Sequence, residues 1–324
     1  MCRHFAYLGP EVALQTLLYA PPHSLIHQSY APRRQRAGLL NADGFGVGWY
    51  PTGAAAGGPP ARYRRAVPIW GDVNLADLAR VTRSGAVLAA VRSATPGFPV
   101  QEGANAPFTA GRWLFSHNGA LPGWPACIAA VAPDLDPATL ARQNTVTDST
   151  FLWAVILERL EGGEDAAEVV RSVAATARER TGGRVNLLLH DGARIVATAA
   201  GDTLCYRQGV HPGPDGTAVP GVIVASEPFD DADGWVDVPE GALLVATAGH
   251  VAVGRLADPQ PTEPRSTETR SAEPRSAEPH STETRCAGPP PEAAPHPSGP
   301  ARPAPGPGPA GPAGLPSRSF SEIP

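Results

Sequence analysis

Met1-Cys2-Arg3-His4-Phe5-Ala6-Tyr7-Leu8 opens the chain with a reactive side chain at position 2 and a weakly alternating apolar run behind it. The alternation reads as a strand that begins at the thiol. Cysteine is small enough for the initiator methionine to be trimmed away, which would leave Cys2 with both a thiol and a free α-amino group. Free α-amines titrate near ~8 and thiols near ~8.5, so such an amine can take the proton of its own side chain. One residue then supplies nucleophile and general base. A cysteine without a role at a frayed terminus is the plainer reading of that position alone, and stretches further along the chain decide between the two.

Residues 86–91 form a continuous apolar run, as in a strand buried on both faces, and it ends in Arg92-Ser93-Ala94-Thr95-Pro96-Gly97. An arginine there must be paired, either in a core salt bridge or with the carboxylate of a ligand, whose geometry the guanidinium fork matches. A second apolar strand, 113–116, runs into His117-Asn118-Gly119. Asn-Gly is commonly a turn, but a carboxamide beside an unobstructed glycine N–H can also donate to a developing oxyanion. Thr147-Asp148-Ser149-Thr150 precedes a strongly apolar helix over 151–157. Its plain role is N-capping, and the Asp148 carboxylate could instead meet a substrate ammonium.

Between these lie a short helix over 11–18 stopped by Pro21-Pro22, an irregular polar loop over 23–36 carrying Arg33, Arg34 and Arg36, and a helix over 73–83 ending at Gly85. In 41–50 three glycines interleave with Phe45, Val47 and Trp49, the pattern of a strand that lets another backbone or a ligand approach closely. No helix follows it, so it is not a dinucleotide fingerprint. A further helix spans about 165–180, and beyond Arg184 the periodicity becomes two, with five strand candidates separated at first by Asp-Gly and Gly-Asp turns. Strands, then helices, then strands imply a layered body and not a parallel βαβ sheet.

After Leu256 the composition changes. Residues 262–286 are five pentads of the type Thr-Glu-Pro-Arg-Ser, followed by Pro/Gly/Ala sequence to Pro324. Such a segment lacks the apolar surface to offset chain entropy and is expected to be a disordered tail over 257–324. The net charge of −5 and the lack of a basic block argue against nucleic acid. No run approaches the ~18–20 apolar residues of a membrane span and no signal peptide is visible, so the protein reads as cytoplasmic. Four scattered cysteines, without a CxxC pair, make a disulfide framework or a zinc site improbable.

Taken in order, Cys2, Arg92 with Thr95, His117-Asn118-Gly119 and Thr147-Asp148-Ser149 resemble the site of the glutamine amidotransferase type of N-terminal nucleophile hydrolase. The resemblance covers residues 2–256. It implies an α+β fold, the four-layer αββα sandwich, and cleavage of a γ-glutamyl amide through a Cys2 thioester. It also implies Asn118 and Gly119 at the oxyanion, Arg92 on the substrate α-carboxylate, Asp148 on its α-ammonium and Thr95 supporting the pocket. No cofactor or metal is implied, the partner is a small γ-glutamyl molecule, and protein partners stay open. Ser93 and Pro96 stand where synthase-coupled members commonly carry an aromatic and a histidine, and no acceptor domain follows, so a stand-alone hydrolase is expected over an ammonia-channelling synthase. A general glutaminase or γ-glutamyl peptide amidase would use the same residues, and a catalytically silent partner subunit is the reading from another class.

Overall fold

Alternation in the first residues has a direct structural consequence. In β1 (Cys2–Ala13), Phe5 and Tyr7 enter one core while Ala6 and Leu8 enter another, because successive side chains leave opposite faces of a strand. The computed structural model describes residues 2–257, apart from residues 37, 53–57 and 213–216. The pentads and the rest of the expected tail lie outside the described residues.

The elements that follow are α1 (Leu14–Leu18), α2 (Leu25–Tyr30), β2 (Phe45–Trp49), β3 (Ala61–Arg65), α3 (Leu75–Val81), β4 (Arg83–Arg92), β5 (Phe108–Ala110) and β6 (Trp113–Ala120). Next come α4 (Ile128–Val131), α5 (Pro137–Ala141), α6 (Asp148–Glu161), α7 (Ala166–Thr181), β7 (Arg184–His190), β8 (Ile195–Ala199) and β9 (Cys205–Pro212). The last are β10 (Ala218–Ala225), β11 (Val236–Asp237), β12 (Ala242–Thr247) and β13 (His250–Arg255). A seven-stranded antiparallel sheet runs β11-β9-β10-β1-β4-β2-β3, and a six-stranded one runs β13-β12-β8-β7-β6-β5.

Three separate cores make the layers. Phe5, Leu14, Leu25, Phe45, Leu75 and Val91 fill the space between the first sheet and α1–α3. Ala6, Leu88, Leu114, Leu188, Val224 and Leu244 fill the space between the sheets. Phe115, Phe151, Trp153, Val170 and Leu187 pack the second sheet against α6 and α7. Phe115 and Trp153 stack with centroids 5.3 Å apart, and each such buried aromatic contributes about 3 kcal/mol. The architecture is the αββα sandwich expected above.

Local departures from the sequence reading have local causes. The helix expected from Glu11 starts at Leu14, because β1 resumes pairing with β4 at Val12 after a register shift beyond Leu8. Gly85 lies inside β4 and does not end a helix; a Cβ there would sit 2.5 Å from the Gly9 carbonyl oxygen at that irregularity. The loop expected over 23–36 contains α2, whose Leu25 and Gln28 are buried. The glycine pattern of β2 does what it promised: a Cβ on Gly46 would lie 2.3 Å from the Ala106 carbonyl oxygen, and one on Gly48 would lie 2.7 Å from the Leu114 side chain. Both glycines let the second sheet and its connection close onto the first.

Two histidines are wholly buried in this framework. His190 is fixed as the Nε2–H tautomer by its partners, Nε2 donating to the Tyr7 carbonyl at 3.1 Å and Nδ1 accepting from Gly192 N–H at 3.0 Å. Burial lowers its pKa from 6.5 to about 4, and burial lowers that of His4 from 6.5 to about 3. Above pH 6.5 both rings are neutral whether the chain is folded or not. Below it, the unfolded chain takes up protons that the folded one refuses, so stability falls with falling pH until the folded pKa values are reached. At pH 5 each ring is expected to cost about 2 kcal/mol relative to pH 7. Urea unfolding at the two pH values measures this, and a stability independent of pH between 7 and 5 would contradict it.

Candidate active site

The site forms where the ends of β1, β4 and β6 meet the start of α6. In the β1–β4 ladder Cys2 lies opposite Arg92, so both side chains leave the same face, toward the second sheet. Across the gap, the Cys2 backbone nitrogen donates to Asn118 Oδ1 at 2.9 Å. Asn118 is fully buried, and its Nδ2 has no hydrogen-bond partner among the described residues. A buried carboxamide with a spare N–H is costly unless something arrives to accept from it. That nitrogen is therefore a poised donor beside the thiol.

Gly119 follows in the ladder opposite Val185, and a Cβ there would lie 1.8 Å from the Arg184 carbonyl oxygen. No other residue fits. Asn-Gly is thus strand here and not turn, and the requirement for glycine is already met by backbone crowding.

Arg92 is nearly buried. Its Nη1 donates to the Pro99 carbonyl at 2.9 Å, and no carboxylate lies within salt-bridge distance among the described residues. The core salt bridge that the sequence left open is absent at that position. Asp148, 4% exposed, is the mirror case. Its Oδ1 accepts from Ser149 N–H at 2.7 Å and its Oδ2 from Leu121 N–H at 3.1 Å, with no cation paired to it among the described residues. The capping expected at this helix start falls to its neighbour. Thr147 and Thr150 form a reciprocal capping box, Thr147 Oγ1 accepting from Thr150 N–H at 3.2 Å and Thr150 Oγ1 from Thr147 N–H at 2.8 Å. Asp148 is thereby free for other work. One positive and one negative side chain are thus taken from water, neither in a salt bridge among the described residues.

Thr95 is placed differently. It is exposed at the start of a turn closed by Phe98 N–H to its carbonyl at 2.9 Å, and its side chain makes no hydrogen bond with the other site residues.

Several supports were given no role of their own in the sequence. Asp43 donates its N–H to the Arg92 carbonyl at 2.9 Å and accepts Ala94 N–H on Oδ2 at 2.7 Å, which pins the backbone on both sides of Ser93. His117 is buried between Ser149 Oγ, 2.9 Å from Nδ1, and the Arg184 carbonyl, 3.0 Å from Nε2. The carbonyl can only accept, so Nε2 carries the proton and Nδ1 accepts the Ser149 hydroxyl. Burial pulls this imidazole below its usual range, with the Asp148 charge opposing, which keeps the ring neutral. Arg3 is wholly buried on the other face of β1, and its Nε donates to the Cys2 carbonyl at 2.8 Å. Under the thiol a narrow cavity of about 20 Å³, bounded by Cys2, Arg92, Asn105, Ser116, His117 and Ser149, holds no more than a water molecule. Among the described residues no cluster of His, Cys, Asp and Glu could hold a metal ion.

Residues 22–213 match the family model of the class-II glutamine amidotransferases. The chain is 42% identical over 253 residues to a gamma-glutamyl-hercynylcysteine sulfoxide hydrolase of Mycolicibacterium smegmatis, covering 78% of this chain and 99% of that protein. It is 40% identical over 256 residues to a protein of the same name from Mycobacterium tuberculosis, covering 79% and 97%. Among solved structures, a glutamine aminotransferase class-II domain protein from Silicibacter pomeroyi superposes with a TM-score of 0.53 at 23% identity, over 79% of this chain and 100% of that one. The glutamine phosphoribosylpyrophosphate amidotransferase of B. subtilis gives 0.51 at 17% identity, over 79% and 49%. These two likenesses concern the fold.

The crowding at Gly119 yields a direct test. Gly119→Ala is expected to lose about 3 kcal/mol or more of folding stability, because the obstacle is backbone and cannot rotate away. Denaturant unfolding reads it, and a variant as stable as the parent would show that β6 and β7 are not this close.

Proposed function

The chain belongs to the class-II glutamine amidotransferases, and on that premise we propose that it hydrolyses the γ-glutamyl amide of γ-glutamyl-hercynylcysteine sulfoxide, a step of ergothioneine biosynthesis. Glutamate and hercynylcysteine sulfoxide are the products. The observation that carries the reading is the Cys2 nitrogen on Asn118 Oδ1 while Asn118 Nδ2 stays buried and unengaged. With Met1 removed, that nitrogen is an amine held beside its own thiol.

In this reading the Cys2 sulfur attacks the γ-carbonyl carbon as its proton passes to the α-amine. The carbonyl oxygen, now anionic, accepts from Asn118 Nδ2–H and Gly119 N–H. Collapse expels the leaving amine, which takes the proton from the α-amine, and a Cys2 thioester of glutamate remains. Water, deprotonated by the same amine, then attacks the thioester and glutamate leaves. Arg92 keeps N–H donors beyond the one given to Pro99, and these receive the α-carboxylate of the substrate. Asp148 receives its α-ammonium. Supporting this, both charges lie buried without a counter-charge among the described residues, an arrangement that a zwitterionic head group would neutralise at both ends. Thr95 supports the pocket through the loop after Arg92, and its exposure makes it the least demanding of these positions.

The same residues would cut glutamine, so specificity rests on the leaving group. The stretches 1–10, 20–29, 41–50 and 225–230 carry the likeness to the sulfoxide hydrolases. We assign the reaction to residues 2–256, no part of it to 257–324, and place it in the cytoplasm, in keeping with the free thiols of Cys2, Cys127 and Cys205. No helix among the described residues is long and apolar enough to cross a membrane.

Cys2→Ala is expected to abolish glutamate release, and intact active protein to lack Met1 by mass spectrometry. Retention of Met1 in the active form would remove the proposed base. Asn118→Ala is expected to lower kcat about 10²–10³-fold with KM little changed, whereas Arg92→Gln raises KM. Side-by-side assay of glutamine, γ-glutamylcysteine and the hercynyl sulfoxide tests the substrate; glutamine as the best of the three would overturn it.

A further inference from the structure

Three arginines line a cavity that the mechanism above leaves untouched. It lies at the edge strand β3 and holds about 200 Å³, with Arg62 and Arg64 on β3 and Arg142 just past the end of α5. Phe108 of β5 and Trp153 of α6 stand in its walls, and Glu161 is the one carboxylate that lines it among the described residues.

Arg62 and Arg64 are two positions apart on a strand, so they leave the same face, opposite Gly48 and Gly46 of β2. Glycine makes room for them there: a Cβ on Gly46 would lie 2.8 Å from Arg64 Cγ. Arg62 Nη1 donates to the Pro107 carbonyl at 3.1 Å, and Arg64 Nη1 donates to the Asn105 carbonyl at 3.0 Å. A guanidinium carries several N–H groups in a fixed fork, and each of these two spends one on its carbonyl. Neither is in a salt bridge among the described residues. Glu102, whose charge reaches Arg64, lies 3.5 Å from Arg65, and Glu161 lies 3.1 Å from Arg142. Burial lowers the pKa of both guanidiniums, that of Arg64 to about 10 with the Arg62 charge adding to the effect. Both stay protonated at neutral pH, so two like charges share a partly buried edge without a counter-charge of their own.

We propose that this cavity binds the phosphate group of a small phosphate ester and acts as an effector site for the catalytic end of the chain. Guanidinium forks match phosphate oxygens with paired hydrogen bonds, and three arginines against one glutamate leave the lining net positive. Arg142 and Glu161 are each about half exposed, so their pair contributes little and Arg142 can turn to the ligand. The volume suits a phosphate and a few attached atoms, being below the roughly 300–1,000 Å³ of clefts for larger ligands. The link to the thiol is the stretch that Arg62 and Arg64 hold. Asn105, Ala106 and Phe108 of that stretch also bound the narrow cavity beside Cys2, and Phe108 lines both cavities. A phosphate between the guanidiniums offsets their repulsion, so both hold their carbonyls more firmly and that wall tightens on Cys2.

Calorimetric titration of the full chain with inorganic phosphate, pyrophosphate and succinate, at constant ionic strength, tests the binding. Phosphate is expected to bind saturably, pyrophosphate more tightly and succinate about tenfold more weakly. Arg62→Gln combined with Arg64→Gln is expected to weaken phosphate about tenfold, and Arg142→Gln about threefold. Arg80→Gln, which alters an exposed arginine paired with Asp77, leaves the affinity unchanged. Arg142 is exposed, so its variant keeps the test decisive if the double variant does not fold. No saturable heat, succinate binding as tightly as phosphate, or an affinity indifferent to Arg142→Gln would overturn the site. Saturating phosphate is also expected to slow alkylation of Cys2 by iodoacetamide about fivefold, read by mass spectrometry of the Cys2 peptide. Phosphate that binds without changing that rate would overturn the effector role. Alkylation needs no substrate, so neither outcome depends on the γ-glutamyl reading.

Discussion

A single hydrogen bond between the two sheets, from the Cys2 nitrogen to Asn118 Oδ1, sets the geometry of everything near it. It joins residues 116 apart in sequence, so it exists only because two antiparallel sheets pack face to face with their ends aligned. Sheets stacked this way stand about 10 Å apart in general. Beside them β2 offers Gly46 and Gly48 where any side chain would strike Ala106 or Leu114. The glycines are therefore part of the site although they touch no reacting atom. The same hydrogen bond orients the carboxamide, and by occupying its oxygen it leaves the nitrogen for something else.

Electrostatics around this contact divide into two kinds. Arg92 and Asp148 are withdrawn from water without counter-charges among the described residues, a state whose cost a zwitterionic ligand would relieve. Arg3 and Glu227 are equally buried, but Glu227 is braced by backbone N–H groups and Arg3 is tied to the Cys2 carbonyl. The histidines between and beside them, His4, His117 and His190, are all held neutral by burial, so none adds charge to the site. Arg3, Arg92, Asp148 and Glu227 are thus buried charges, Arg3 and Arg92 being neighbours of Cys2 on β1 and β4.

Strand order adds direction to this pattern. Because β1 sits between β4 and β10, one flank of the strand carries Arg92 and the other the end of β10, with Ser226 on the His4 carbonyl.

By itself the sequence determined the strand that starts at Cys2, the buried run ending in Arg92, the strand into Asn118-Gly119, the helix after Thr147 and the period-two region beyond Arg184, since each is a local pattern of apolar spacing. It also carried the order of the site residues, which is what made the αββα sandwich legible. Tertiary structure alone decided the rest. Whether Arg92 would find a core carboxylate, whether Asp148 would turn to Leu121 and leave the cap to Thr147, and whether Asn118-Gly119 would turn or stay extended depend on what the fold places against them. The short α2 and the roles of Asp43 and Glu227 left no periodic trace, because their partners are backbone groups brought near only by the fold. Periodicity records which face of an element is buried; it cannot record what the other elements place against it.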